Sequence, residues 1–136
     1  MSKDSNKLIT LTRKEVLDLL SETKDLRERD IRKANLIKID FSNCDLSGAN
    51  LSYSNLKDCS FRNSNLSGAS LWNANLEGAD FTNANLEDAD MDYAKLRGAI
   101  LFKANIRRAS LPTELIPRED ILASVDTGCR VGSRNN

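Results

Sequence analysis

The residues able to do chemistry in this chain are few, and their spacing does not suit catalysis. No histidine occurs among its 136 residues, so the usual general base and the commonest metal ligand are both missing. Cys44, Cys59 and Cys129 stand at spacings that suit neither a zinc site nor a redox pair. They read as small apolar packing residues. There is no phosphate-binding loop, no metal-ligand spacing and no nucleophile elbow. Twenty basic and twenty acidic residues cancel, so no net field draws in nucleic acid or an anionic membrane. No apolar run is long enough to span a bilayer, and the start Met1-Ser2-Lys3-Asp4-Ser5-Asn6 lacks an apolar secretory core. The expectation is a cytoplasmic protein that is not an enzyme, with no cofactor, no metal, no direct nucleic-acid contact and no membrane association. Function must then lie in surface side chains, and their use depends on the scaffold that holds them.

That scaffold is written in a period of five. In blocks over residues 34–113 the third residue is large and apolar in all sixteen, from Leu36, Phe41 and Leu46 to Leu101, Ile106 and Leu111. The first residue is small: Ala34, Cys44, Ala49, Ser54, Cys59, Ser64, then alanine in every block from Ala69 to Ala109. Ile39 is the one exception. A helix needs a period near 3.6 and a strand a period of 2. A strict period of five fits neither. It fits a solenoid, in which each short unit turns the chain and the next unit stacks. Gly48, Gly68, Gly78 and Gly98 share the fifth position with Asn43, Asp58, Asn63, Asn73, Asn83 and Asp88. Those types tolerate positive φ, which predicts a tight turn at each block's end. Tyr53 and Tyr93 at the same position argue that some corners do without it.

Blocks such as Ala49-Asn50-Leu51, Ala74-Asn75-Leu76, Ala79-Asp80-Phe81 and Ala84-Asn85-Leu86 resemble the pentapeptide repeat family, whose pattern is small, polar, Leu or Phe, variable, variable. The match covers residues 34–113. Two weaker blocks precede it around Leu26 and Ile31, where Lys24 and Arg29 replace the small residue. The resemblance implies an all-β solenoid, a right-handed quadrilateral β-helix with four blocks per coil and about four coils. It also implies that first and third residues point inward and the other three outward. Short members of this kind are abundant in cyanobacteria. The spacing of Phe41, Phe61 and Phe81 agrees independently, because a twenty-residue coil stacks these rings on one face.

Both open ends of such a helix need covers. Thr12-Arg13-Lys14-Glu15 reads as a capping box, with Leu11 and Val16 as a hydrophobic staple. Val16, Leu19 and Leu20 extend a stripe at helical spacing, predicting a short capping helix over about 13–22. At the other end come Leu115, Ile116, Ile121, Leu122 and Val125, and Pro117 suits a helix's first turn. Ile100 and Phe102, at outward positions, need an apolar cover. The reading is one domain. Residues 1–23 form an N-terminal cap with a helix, 24–113 the β-helix, 114–125 a C-terminal capping segment, and 126–136 a disordered tail.

A twenty-residue coil also sorts the outward side chains. Residues 74–93 carry Glu77, Asp80, Glu87, Asp88, Asp90 and Asp92 and no base. Residues 94–113 carry Lys95, Arg97, Lys103, Arg107 and Arg108 and no acid. Glu77 should stack on Arg97, Glu87 on Arg107 and Asp88 on Arg108, with Lys57 extending the first pair and Lys38 facing Asp58. These residues either pair between coils and help set register, or form a secondary partner site. Tyr53, Trp72 and Tyr93 fall on one face in adjacent outward columns, with Arg32 and Lys33 at the N-terminal end. They are either scattered surface aromatics or a docking patch, since Tyr and Trp are favoured interface anchors.

The leading expectation is a scaffold or protein-protein interaction module with an unknown protein partner. A monomer is favoured, with weak end-to-end dimerisation as the alternative. The family resemblance implies a second reading, a DNA-mimicking topoisomerase (gyrase) inhibitor or protection protein, because quinolone-resistance proteins belong to that family. Shortness, neutrality and the lack of an obvious dimerising C-terminal element speak against it.

Overall fold

The computed structural model describes residues 10–132. Parallel backbone bridges join residues twenty apart all along the repeat, from Thr10 with Asp30 and Asp25 with Asp45 to Asp90 with Ser110. Each block therefore lies over the corresponding block of the next coil, and four blocks complete a coil. Within the block around Phe61, three hydrogen bonds tie neighbouring coils. The Phe61 N–H donates to the Asp80 carbonyl at 2.7 Å, the Asn63 N–H to Thr82 at 3.0 Å, and the Asp80 N–H to Cys59 at 3.0 Å. A further bond, from the Ser64 N–H to the Phe61 carbonyl at 3.1 Å, closes the corner.

The polar second column has its own structural reason. Its side-chain oxygen accepts the N–H of the fourth residue, which the coil-to-coil ladder leaves free. Asp45 does this for Ser47 at 3.0 Å, Asp80 for Thr82 at 2.9 Å and Asn85 for Glu87 at 3.0 Å. Asn and Asp at this position are therefore part of the backbone's own hydrogen bonding, not simply solvated surface.

Every fifth position from Glu28 to Arg108 has positive φ, and Tyr53 and Tyr93 each stand at +61°. The expectation that the tyrosines mark corners of another kind is overturned. A turn of type II needs a left-handed third residue. The coil-to-coil bond from the Tyr53 N–H to the Trp72 carbonyl, 3.0 Å, holds it there. The left-handed basin costs a non-glycine residue on the order of 1 kcal/mol. One or two backbone hydrogen bonds contribute about as much.

The third column is wholly buried from Leu26 to Leu101, so the two early blocks around Leu26 and Ile31 are full members of the stack. Phe41, Phe61 and Phe81 lie ring on ring, with centroids 5.2 and 4.9 Å apart and planes within 6° of parallel. Ser54, Ser64 and Cys59 of the small column are satisfied inside. The Ser54 hydroxyl donates to the Ile31 carbonyl at 2.5 Å and accepts the Ala34 N–H at 3.1 Å. The Cys59 thiol donates to Leu36 at 2.9 Å. Burial pushes the Cys59 thiol up to about 12 and the Cys44 thiol upward as well. Both remain protonated packing groups, and all three cysteines are free. The outward rule bends at two fourth positions. Ser52 and Thr82 are buried, with their hydroxyls held by Asn50 Oδ1 and Asp80 Oδ1 of their own blocks.

Helix α1, Arg13–Leu20, begins at Thr12 with the complete capping box to Glu15. It stops two residues short of the expected end. Val16 is buried in the core, with Leu19 and Leu20 packed against it. The Arg13 guanidinium donates to the carbonyls of Asn35 and Ile37 at 3.1 and 3.0 Å. Helix α2, Arg118–Thr127, differs more from expectation. Pro117 is its N-cap, not a first-turn residue, and the helix runs past 125 to a left-handed Gly128. The expected disordered tail from Asp126 is corrected as far as Gly132. Val131 is buried, its N–H donates to the Ala99 carbonyl and its carbonyl accepts the Gly98 N–H, both at 2.8 Å. Two backbone bonds on the free edge of the last coil thus order a stretch whose composition suggests a tail. Residues 133–136 lie outside the described part. Ser124 Oγ accepts the Leu101 N–H at 2.9 Å, and a Cβ at Gly128 would sit 3.3 Å from the Phe102 ring. The turn after α2 is thus the cover that Phe102 needs.

Gly128→Ala should cost about 1–2 kcal/mol in urea denaturation, because φ is +78° there and Phe102 crowds the new methyl group. Gly68→Ala, at φ +66° with nothing within 4 Å, should cost less. Equal losses would mean that the turn does not pack on Phe102.

Candidate functional site

The corner geometry decides which side chains share a wall. Tyr53 and Tyr93 occupy the same fifth-position column two coils apart, and Trp72 stands in the adjoining fourth-position column of the coil between. Their rings touch in sequence. Tyr53 and Trp72 meet edge to face with centroids 5.1 Å apart, and Trp72 and Tyr93 do so at 5.9 Å. Tyr53 and Tyr93 remain 49% and 47% exposed. The Lys33 ammonium lies 5.9 Å from the Tyr53 ring, adding a cation–π contact at the N-terminal end. Arg32, expected beside it, is instead tied to Asp30 of its own block through two hydrogen bonds of 2.8 Å. The three aromatics form one continuous surface, two exposed tyrosines with a half-buried Trp72 between them, not separate surface residues.

At the level of Tyr93 the wall turns acidic, with Asp92 over Trp72 in the fourth-position column. Burial, then Asp90 and Glu114, push the Asp92 carboxyl above its usual range. Its neighbours are therefore carboxylates, and no cation pairs with it among the described residues.

The charged candidates come together only in part. Asp88 and Arg108 pair across coils at 2.9 Å as expected. The same guanidinium also reaches Glu87 at 3.2 Å, so Glu87 pairs with Arg108 and not with Arg107. Glu77 with Arg97, and Lys38 with Asp58, form no ion pair among the described residues. Stacking columns alone did not predict this, because Arg108 reaches past its own column to Glu87, and elsewhere fourth-position arginines lean toward second-position carboxylates. Arg27 takes Asp25 and Arg32 takes Asp30 within the block. Arg62, whose block has Ser60 there, crosses to Asp80 of the next coil at 2.9 Å. The signal was legible as Asp-x-Arg inside a block. These pairs are largely exposed, so they tune register weakly.

No group of His, Cys, Asp or Glu able to hold a metal occurs among the described residues, and no helix there is long and apolar enough to cross a membrane. The fold and the exposed wall define a β-helical repeat protein whose regular features all serve the stack. The model of the pentapeptide repeat region matches residues 30–111, and the chain belongs to that family. The family's fold is the right-handed β-helix. None of the curated proteins matches the chain. Among solved structures it is similar to the pentapeptide repeat protein Rfr23 from the cyanobacterium Cyanothece 51142. Identity is 36%, covering 62% of this chain and 58% of that one, with a TM-score of 0.61. It is also similar to HetL from Nostoc sp. strain PCC 7120, a protein involved in heterocyst differentiation regulation. Here identity is 29% over 76% of this chain and 45% of that one, with a TM-score of 0.41. A third is QnrB1, a plasmid-mediated fluoroquinolone resistance protein, at 21% identity over 64% and 51% of the two chains and a TM-score of 0.31. The chain thus spans less than two thirds of each of these proteins.

Acid should unfold this protein through its engaged carboxylates. The Arg27 side chain holds Asp25 down to about 2, and Arg32 lowers Asp30. Ser42 lowers Asp40, and Arg108 lowers Asp88. At Asp80 burial pushes the carboxyl up, yet hydrogen bonds from Thr82 and Arg62 leave it lowered. A depressed native value means that the stabilisation is complete above the ordinary 3.8 and is lost as pH falls through the folded value. The raised Asp92 opposes this as a single group. Melting temperature should hold from neutral pH to the ordinary carboxylate range and then fall toward pH 2. A flat profile to pH 2 would mean that these bonds do not differ between folded and unfolded chain.

Proposed function

We propose that this chain is a non-enzymatic interaction module. In this reading it is a rod of about four coils, closed at both ends by α1 and by the α2 segment, that presents a protein partner with the wall of Tyr53, Trp72 and Tyr93. The observation that carries the reading is the unbroken ring contact along that wall, 5.1 and 5.9 Å, combined with tyrosines about half exposed. A soluble repeat protein has no packing need for three touching aromatics on an outer face. Such a cluster is the usual make-up of an interface anchor. The backbone beneath is held coil to coil, so docking there orders little of the protein and loses little entropy. The charged residues Glu77, Glu87, Asp88, Arg97, Arg107 and Arg108 are the secondary candidates. Asp88, Glu87 and Arg108 already engage one another, which lowers their availability.

The gyrase reading has less support. The chain is neutral overall, and two carboxylates of its acidic coil, Glu87 and Asp88, are bridged by Arg108 of the next. Likeness to a quinolone-resistance protein at a TM-score of 0.31 carries no argument. Short cyanobacterial members of the family offer the analogy for a cytoplasmic scaffold, and analogy of fold does not name a partner.

Affinity capture from the native host tests the reading. Trp72→Ala should keep the fold, because an outward residue removes no core volume, and should weaken capture by about 1 kcal/mol or more. Unchanged capture with an intact fold would leave the wall as ordinary surface and turn attention to the charged coils. Inhibition of gyrase supercoiling by the wild-type chain would favour the second reading.

A further inference from the structure

The wall's period and chemistry narrow its partner. This inference rests on the docking reading above and deepens it. A partner running along the rod meets no strand edge, because the coils use their backbone groups on one another. The Lys33 N–H is taken by Ser52 at 3.1 Å, the Tyr53 N–H by Trp72 at 3.0 Å and the Asn73 N–H by Asp92 at 2.9 Å. Strand addition needs free edge groups, which a β-helix offers only at its ends. An amphipathic helix needs a groove with two apolar walls, and here a single ridge stands up from polar neighbours. What fits a ridge is an extended ligand with no internal hydrogen bonds that is recognised by ring faces.

Polyproline II is such a ligand, rising about 3.1 Å per residue and repeating every three, or about 9.3 Å. Tyr53 and Tyr93 are two coils apart, roughly 9.6 Å at the ordinary strand spacing. Trp72 stands between them, nearly perpendicular to both at 78° and 82°. Tyr53 and Tyr93 are thus about one turn of the ligand apart, with Trp72 in edge-to-face contact with both. Polyproline II leaves its carbonyls free. The Trp72 indole N–H and the amide of exposed Asn73 make no hydrogen bond among the described residues and stand ready as donors. The two ends of the wall differ in sign. Lys33 lies over Tyr53, while Asp92 stands beside Tyr93 in the Trp72 column, with no cation paired to it among the described residues.

We propose that the wall binds a proline-rich segment in the polyproline II conformation, lying along the rod axis with a lysine or arginine at its Tyr93 end. Prolines one turn apart pack on the Tyr53 and Tyr93 rings, ligand carbonyls accept from Trp72 and Asn73, and the basic side chain reaches Asp92.

Trp72 is the sole tryptophan, so its emission reports binding directly. The probe is a blocked octaproline peptide ending in two arginines. A glycine-serine peptide with the same two arginines and a plain octaproline serve as controls. Saturable binding of the proline-arginine peptide is expected, with little binding of the glycine-serine control. Tyr53→Asn and Tyr93→Asn keep a residue type at home in the left-handed basin, as Asn73 is in the same column at φ +59°. Each should weaken binding about fivefold at an unchanged melting temperature. Asp92→Asn should weaken the arginine-bearing peptide and leave plain octaproline unaffected. No saturable change up to about 1 mM overturns the proposal, as does equal binding of the glycine-serine control or unchanged affinity in both tyrosine variants. If the peptide fails while capture from the host still depends on Trp72, proline recognition is wrong and the docking reading stands. If both fail, the docking reading falls too.

Discussion

A left-handed residue closes every five-residue turn from Glu28 to Arg108, and the rest of the molecule depends on that bend. It turns the chain often enough for residue i to meet residue i+20 in parallel register. Once that register exists, each block supplies hydrogen bonds to both neighbours, and the strain of a left-handed Tyr or Lys is offset by bonds made only in that conformation. A lone five-residue unit would gain nothing from the bend. Stacked units gain it at every corner, which is the cooperativity expected of a solenoid whose stability resides in nearest-neighbour contacts.

The two inward columns follow from the same bend. A large third residue fills the interior and a small first residue lets the corner close. Three polar members of the small column meet a carbonyl inside, Ser54 at Ile31, Ser64 at Phe61 and Cys59 at Leu36. That keeps the interior free of unsatisfied side-chain polar atoms among the described residues. The asparagines and aspartates of the second column complete the hydrogen bonding from outside. Three of five positions are thus committed to the stack, and a fourth is constrained in backbone. Freedom to vary is concentrated in the outward fourth and fifth side chains. The wall of Tyr53, Trp72 and Tyr93 is written there.

A rod of this kind presents its side chains at fixed intervals. Its buried thiols are pushed toward the inert, protonated form. Its asset is spacing. Side chains on one face recur at the interval of a coil, and the scaffold beneath them is held on both sides. A partner with a commensurate repeat can be read along the axis without reordering the protein.

Much was decided by sequence alone, because the period of five points to a solenoid and the family resemblance carried by its columns implies the quadrilateral β-helix. The columns headed by Leu36 and Ala34, the stacking of Phe41, Phe61 and Phe81, and the capping box from Thr12 to Glu15 are local or strictly periodic, so they can be counted along the chain. The gathering of Tyr53, Trp72 and Tyr93 was legible for the same reason. Other features required tertiary structure. Tyr53 and Tyr93 adopt positive φ because neighbouring coils hold them there, which no single-residue preference reveals. Arg108 bridges Glu87 and Asp88, and Arg62 crosses to Asp80, because long side chains choose partners by reach and not by column. The segment around Val131 is ordered because the free edge of the last coil offers Gly98 and Ala99 as partners. Composition registers the glycines and polar residues of that stretch, but the unpaired edge that captures it exists only once the coils have stacked.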